Sequence, residues 1–125
     1  MFKPVSFGIV LALLVVSPAI AQTPEKEGSA YQRGDYTAAL KELWPEATKG
    51  NAEAQNNLGL MYYRGHGLPQ DRAEAASWFR MAAEQGHARA QYNLGLAYHK
   101  GEGVPQNSAE AFKWFRKAAE QGNAK

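Results

Sequence analysis

One segment of 36 residues occurs twice in tandem, and this duplication constrains the chain more than any other feature. Residues 51–86 read NAEAQNNLGLMYYRGHGLPQDRAEAASWFRMAAEQG, and residues 87–122 read HARAQYNLGLAYHKGEGVPQNSAEAFKWFRKAAEQG. No gap separates them, and roughly two-thirds of their positions are identical. A helical pattern repeating every ~20–50 residues marks a stacked solenoid, in which each unit buries its apolar face against its neighbours.

Each unit reads as a pair of helices. Ala54, Leu58 and Tyr62 fall at i, i+4 and i+8, which places an apolar stripe on a first helix. Asn51 is positioned to cap its start and Gly65 follows its end. The stretch from Gly65 to Gln70 contains Gly67 and Pro69, cannot continue the helix, and reads as a loop. Asp71-Arg72-Ala73-Glu74 then has the spacing of a capping box opening a second helix. That helix carries Ala75, Trp78, Phe79, Ala82 and Ala83 on its buried side, with Gly86 at the C-cap position. The second unit repeats each device, from Leu94 and Tyr98 through Pro105 to Trp114, Phe115 and Gly122. Gly59 and Gly95 sit inside first helices, where glycine costs up to ~1 kcal/mol relative to alanine. A neighbouring helix that approaches too closely for a β-carbon is the expected compensation.

The N-terminal 21 residues have a different character. Lys3 precedes an apolar run from Val5 to Val16, and Ala19-Ile20-Ala21 has the small-x-small pattern of a signal-peptidase site before Gln22. The run is too short for a comfortable span of ~20 residues, and Pro18 interrupts it. Residues 1–21 therefore read as a cleaved secretory signal and residues 22–29 as a polar leader, which predicts a periplasmic or secreted protein. An uncleaved N-terminal anchor is the remaining reading. The sequence contains no cysteine, which excludes acylation as a lipoprotein, disulfides, thiolate metal sites and thiol nucleophiles. Lys+Arg 14 against Asp+Glu 12 gives no dense basic face for binding nucleic acid.

The pattern AxAQxNLGLxYxxGxG(V/L)PQ followed by AEAxxWFRxAAEQG resembles the Sel1-like repeat, a relative of the tetratricopeptide repeat. The resemblance covers residues 51–122. Upstream, Tyr31 to Tyr36 with Ala38-Ala39-Leu40 resembles a degenerate opening repeat over residues 30–50, in which Trp44 and Pro45 depart from the full units. Pro45 is expected to kink that helix. The resemblance implies an all-α superhelical solenoid of antiparallel helix pairs whose members are mostly scaffolds and adaptors. Exported bacterial members include modulators of envelope signalling, factors in host contact, and immunity proteins against delivered toxins. A branch linked to β-lactam binding is stapled by disulfides that this sequence lacks.

No catalytic constellation emerges. H-E-x-x-H, G-x-S-x-G and phosphate-binding glycine loops are all missing. Neither His66 nor His99 recurs in the other unit: His66 aligns with Glu102 and His99 with Tyr63. His87 aligns with Asn51, which suggests helix capping. No metal and no cofactor are expected, and the chain reads as a protein-binding module rather than an enzyme. An immunity protein occluding a periplasmic toxin is the alternative, with a β-lactam-binding enzyme the remote one.

The resemblance implies that first helices line the concave surface. On that face the first unit presents Glu53, Asn56, Leu60, Tyr63 and Arg64, and the second presents Arg89, Tyr92, Leu96, His99 and Lys100. Four of these five pairs differ, although most of the repeat is identical. Asn56, Tyr63, Arg64, Arg89, Tyr92, His99 and Lys100 are therefore the candidate partner-binding residues, with Arg and Tyr as the interface-forming types. The partner is expected to be a protein of some acidic character. Trp78, Phe79, Trp114 and Phe115 recur at one phase beside paired alanines, which points to core for Phe79 and Phe115 and to the edge of the stack for the tryptophans. Residues 123–125 align with the opening of a further unit, so the last face is expected to lack a dedicated cap, and either it docks on a partner or a second copy or it is less apolar than the pattern suggests.

Overall fold

The computed structural model describes residues 30–123; residues 1–29, on which the expected signal and polar leader fall, and residues 124–125 lie outside the described residues. Residues 30–32 are helical and turn through Gly34, with the Asp35 amide donating to the Ala30 carbonyl at 2.9 Å. From Tyr36 onward the chain forms α1 (Tyr36–Thr48), α2 (Ala52–Arg64), α3 (Arg72–Glu84), α4 (Ala88–Lys100) and α5 (Ser108–Asn123). No strand occurs among the described residues, and the chain is the expected all-α solenoid. Consecutive helices pack against each other, so α2 with α3 and α4 with α5 are the two full units and α1 is the second helix of the degenerate one.

The start and stop signals act where the sequence places them. Asn51 Oδ1 accepts from the Ala54 amide at 2.8 Å, and His87 Nδ1 does the same for Ala90 at 3.1 Å. A histidine thus performs the capping function of the asparagine one unit earlier. Gly65 and Gly101 end α2 and α4 in the left-handed conformation. Each loop then returns to the helix it leaves: Gln70 Nε2 donates to the Tyr63 carbonyl and Gln106 Nε2 to that of His99, both at 2.9 Å. The capping box is present as one half. Asp71 Oδ1 accepts from the Glu74 amide, but the Asp71 amide donates to the Tyr62 carbonyl, so that donor is already satisfied.

The core is built of small residues. Ala75, Phe79, Ala82, Ala83, Ala90, Leu94 and Trp114 form one cluster, and Ala47, Ala54 and Leu58 form another, with Trp78 against it. Alanine at these positions brings helix axes close, and the fully buried Leu58, Met61 and Leu94 each contribute about 1.5–3 kcal/mol relative to exposure. The close approach read from Gly59 and Gly95 is present. A β-carbon on Gly59 would lie 2.6 Å from the Phe79 ring, and one on Gly95 would lie 2.7 Å from the Phe115 ring.

Between the stacked pairs runs a ladder of glutamines. Gln55 Nε2 donates to the Ala47 carbonyl of the preceding unit, and Gln91 Nε2 donates to that of Ala83, each at 3.1 Å. Gln85 and Gln121 then donate to Gln55 Oε1 and Gln91 Oε1, each at 2.8 Å. Both polar ends of each buried glutamine are thereby satisfied.

α1 continues through Pro45 to Thr48, whose hydroxyl donates to the Trp44 and Pro45 carbonyls, and Trp44 meets Trp78 edge-on at 6.0 Å. Two expectations are corrected. Gly122 does not cap α5. Gly86 takes φ +94 where the chain folds back into α4, whereas α5 carries helical bonding through Gly122 to Asn123. The aromatic pair also exchanges roles: Phe79 and Trp114 are buried, while Trp78 and Phe115 are half-buried. Phe79 and Phe115 both lie over a first-helix glycine, but only Phe79 has a following helix pair packed over it. Trp114 reaches back into the preceding unit's alanine cluster and is covered there.

Candidate functional site

First helices α2 and α4 are linked across the junction between the two units. His87 Nε2 lies 3.0 Å from Glu53 Oε1, and Asn93 Nδ2 donates to Asn56 Oδ1 at 2.9 Å. Tyr63, at the end of α2, donates its hydroxyl to Glu102 Oε1 at 2.7 Å. Glu102 belongs to the loop after α4, and its other oxygen accepts from Arg72 at the start of α3, 3.0 Å away. The Arg72 guanidinium also lies 4.6 Å above the Tyr63 ring, so three side chains from three segments form one network. The bond to Glu102 raises the Tyr63 pKa above the ordinary tyrosine value. Burial and the Glu102 charge act in the same direction, against Arg72 and Arg64. Burial, with Glu74 and Asp71 nearby, raises that of Tyr62.

A cleft of about 200 Å³ lies beside this network. Leu60, Ala76, Phe79, Leu96 and Ala97 supply apolar walls, and Arg64, Arg72, Asn93 and Glu102 supply polar groups. Such a mixture suits an apolar side chain with a polar or acidic neighbour. Among the described residues no group of three His, Asp or Glu side chains is placed to hold a metal ion. No described helix is long and apolar enough to cross a membrane.

The candidate residues from the sequence fall into three places. Tyr63 and Arg64 line the cleft, Tyr63 half-buried and Arg64 exposed. Tyr92 and His99 line a separate open groove between α4 and α5, with Leu96, Phe115, Ala118 and Ala119. Arg89 and Lys100 are exposed on α4. Asn56 is corrected: it is 1% exposed, because the side chain of Asn93 and the packing of α4 close over it. Its counterpart Tyr92 is 51% exposed.

Sequence reasoning passed over Arg72, Asn93 and Glu102, which form much of the polar lining. A signal was available. His66 and Glu102 differ between units, as do Tyr36 and Arg72 one helix earlier, and the two pairs occupy one contact. His66 stacks on Tyr36 at 4.3 Å where Glu102 binds Arg72. Phe112, 65% exposed where the first unit has the buried Ala76, was also passed over.

Comparison with known proteins matches the geometry. The family model for the Sel1 repeat fits residues 52–87 and 88–123. A Sel1 repeat protein from Oxalobacter formigenes superposes with a TM-score of 0.73 at 41% identity, over 79% of this chain and 41% of that one. A protective antigen of uropathogenic Escherichia coli with an SLR fold gives 0.72 at 39% identity, over 87% and 25%. Cysteine-rich protein B of Helicobacter pylori shares the fold, with a TM-score of 0.66 at 19% identity over 82% and 93%. The chain spans about two-fifths and one quarter of the first two structures. No curated protein matches it. Repeats of this kind mediate protein–protein interaction. With two matched units covering more than half its length and packed as successive helix pairs, the chain belongs to the Sel1 repeat family.

Proposed function

We propose that this protein is a non-catalytic adaptor of the bacterial cell envelope that holds a protein partner on the α2/α4 face. The observation that carries the reading is the cleft between these helices, with an apolar floor of Leu60, Phe79 and Leu96 and a rim bearing Arg64 and Arg72. Arginine beside half-buried aromatic and aliphatic groups is the composition of interface hot spots. Lys100 and Arg89 extend the positive charge along α4, and Glu102 is engaged by Arg72 and Tyr63. The face therefore suits a segment with acidic and apolar residues. Export rests on the signal-like segment at residues 1–21.

The test is capture from the native envelope by tagged chain, with Arg64→Glu and Lys100→Glu introduced together. Both residues are exposed, so the fold is retained. A partner recovered by the wild-type chain and lost with the double variant supports the reading. Recovery unchanged by the variant removes the α2/α4 face as the binding site.

A further inference from the structure

Every residue lining the α2/α4 cleft lies between Leu60 and Glu102, so its walls belong wholly to the two matched units. Its polar side centres on Arg72. The Tyr63 ring lies under the guanidinium at 4.6 Å and Glu102 accepts from Nη1 at 3.0 Å, so the fork is held on two sides. Among the described residues Glu102 is its only hydrogen-bond acceptor, and the buried Nε–H has none. The side chain is still 40% exposed, which leaves terminal N–H groups open to a ligand. Fastening the loop does not itself need an arginine. One repeat earlier the equivalent positions are Tyr36 and His66, which hold the same contact by ring stacking at 4.3 Å. A fixed and incompletely bonded guanidinium is what the second junction adds.

The apolar part of the cleft has room for a ring. Its volume is about 200 Å³, and an enclosed apolar cavity of ~150 Å³ takes up benzene. Its floor includes Phe79 beside Leu60 and Leu96, so an aromatic side chain gains ring contacts that an aliphatic one lacks. A helix, ~10 Å across, is too wide for a space of this volume, whereas one side chain of an extended segment is not. The lining carries Arg64 and Arg72 against Glu102, so one further carboxylate completes its charge balance. In an extended segment residues i and i+2 project from the same side, roughly 7 Å apart. A ring at i and a carboxylate at i+2 therefore face the cleft together, with the residue between them turned to solvent.

We infer that the α2/α4 cleft receives an aromatic side chain of an extended partner segment, and that Arg72 receives a carboxylate two residues away. This rests on the adaptor reading given above and names the chemistry of its binding site. Tyr63 and Glu102 already hold the guanidinium, so little freedom is lost when the carboxylate arrives.

The test titrates acetylated, amidated tripeptides into the isotope-labelled full-length chain. Binding is followed by NMR at the Asn93 side-chain amide and at the Leu60 and Leu96 backbone amides. Phe-Gly-Glu is expected to bind on the order of tenfold more tightly than Phe-Gly-Gln, and by a similar order more tightly than Ala-Gly-Glu. Arg72→Met should bring Phe-Gly-Glu down to the affinity of Phe-Gly-Gln, with the rest of the spectrum in place. The inference is overturned by a wild-type chain that binds none of the peptides or binds them alike, or by Leu-Gly-Glu binding as tightly as Phe-Gly-Glu. A folded Arg72→Met chain that keeps its preference for glutamate overturns it as well. If the peptides bind alike while envelope capture still responds to Arg64→Glu with Lys100→Glu, this inference falls and the adaptor reading stands. Discrimination among the peptides with no partner captured upholds the site chemistry and counts against the adaptor reading instead.

Discussion

Glu102 holds Arg72 at 3.0 Å in the slot where, one repeat earlier, His66 lies flat against Tyr36. The backbone geometry is common to both junctions, with each loop resting on the start of the preceding unit's second helix. At Gly103 the loop leaves no room for a β-carbon against the Arg72 carbonyl. An aromatic stack and an ion pair are thus alternative ways of fastening the same contact. Arg72 is partly exposed, so the pair is worth about 0.5–1 kcal/mol rather than the value of a buried one. A double-mutant cycle with Glu102→Gln and Arg72→Met, read by urea denaturation, is expected to show coupling of that size. The coupling should shrink in molar salt.

Tyr63 makes the same network sensitive to alkali. Its neutral form donates to Glu102, and its folded-state pKa lies above that of an unfolded tyrosine, about 10. The folded chain therefore holds the proton more tightly. The stabilisation is complete below about pH 10 and is lost as pH rises through the folded-state value. Tyr63→Phe should lower stability by about 1 kcal/mol at pH 8 and flatten the decline above pH 10. Tyr62, raised chiefly by burial, should retain its share of that decline. Denaturation midpoints at the two pH values decide the matter.

The two helix-interior glycines are not equivalent. A β-carbon at Gly59 would meet the Phe79 ring at 2.6 Å and the Ala75 carbonyl oxygen at 3.2 Å, and Phe79 is only 3% exposed. Gly95 presents the same approach to Phe115, whose ring is half-exposed and has room to swing outward. Against the ~1 kcal/mol that alanine gains in a helix, Gly59→Ala should still destabilise by about 1–3 kcal/mol. Gly95→Ala should be close to neutral. Equal shifts in melting temperature would mean that the Phe79 pocket yields as readily as the open one.

Gln91→Leu should expose the worth of the glutamine ladder. The side chain is buried, donates to the Ala83 carbonyl and accepts from Gln121, and leucine does neither. A loss of about 1–3 kcal/mol is expected, because leucine takes one donor from the Ala83 carbonyl and leaves the Gln121 amide with the Gly86 carbonyl as its remaining partner. Calorimetry on the single variant, compared with the exposed Gln70→Leu, separates burial from the residue type.

Much of the fold was legible because its determinants are local. The caps at Asn51 and His87, the turns at Gly65 and Gly101, and the glycine under each phenylalanine depend on residues within one unit. The departures depend on neighbours in the next. Asn56 reads as a surface residue from helical phase alone, and it is buried because Asn93 belongs to a helix that closes over it. Phe115 reads as core because Phe79 is core, yet only Phe79 has a succeeding helix pair to complete its enclosure. Arg72 and Glu102 were missed because a pair spanning 30 residues becomes visible only when both junctions are compared.

The glutamine ladder also bears on copy number. Each rung takes its carbonyl from the unit before and its second glutamine from its own unit, and Ala47 and Ala83 occupy the same repeat position. Excising residues 51–86 would set Gln91 against the Ala47 carbonyl, with Gln121 still beside it. Every buried polar atom of that rung would keep its partner. Whole units can therefore be lost or gained by recombination between the duplicated coding segments without orphaning a hydrogen bond of this ladder. A deletion that is not a multiple of the repeat breaks the register at once.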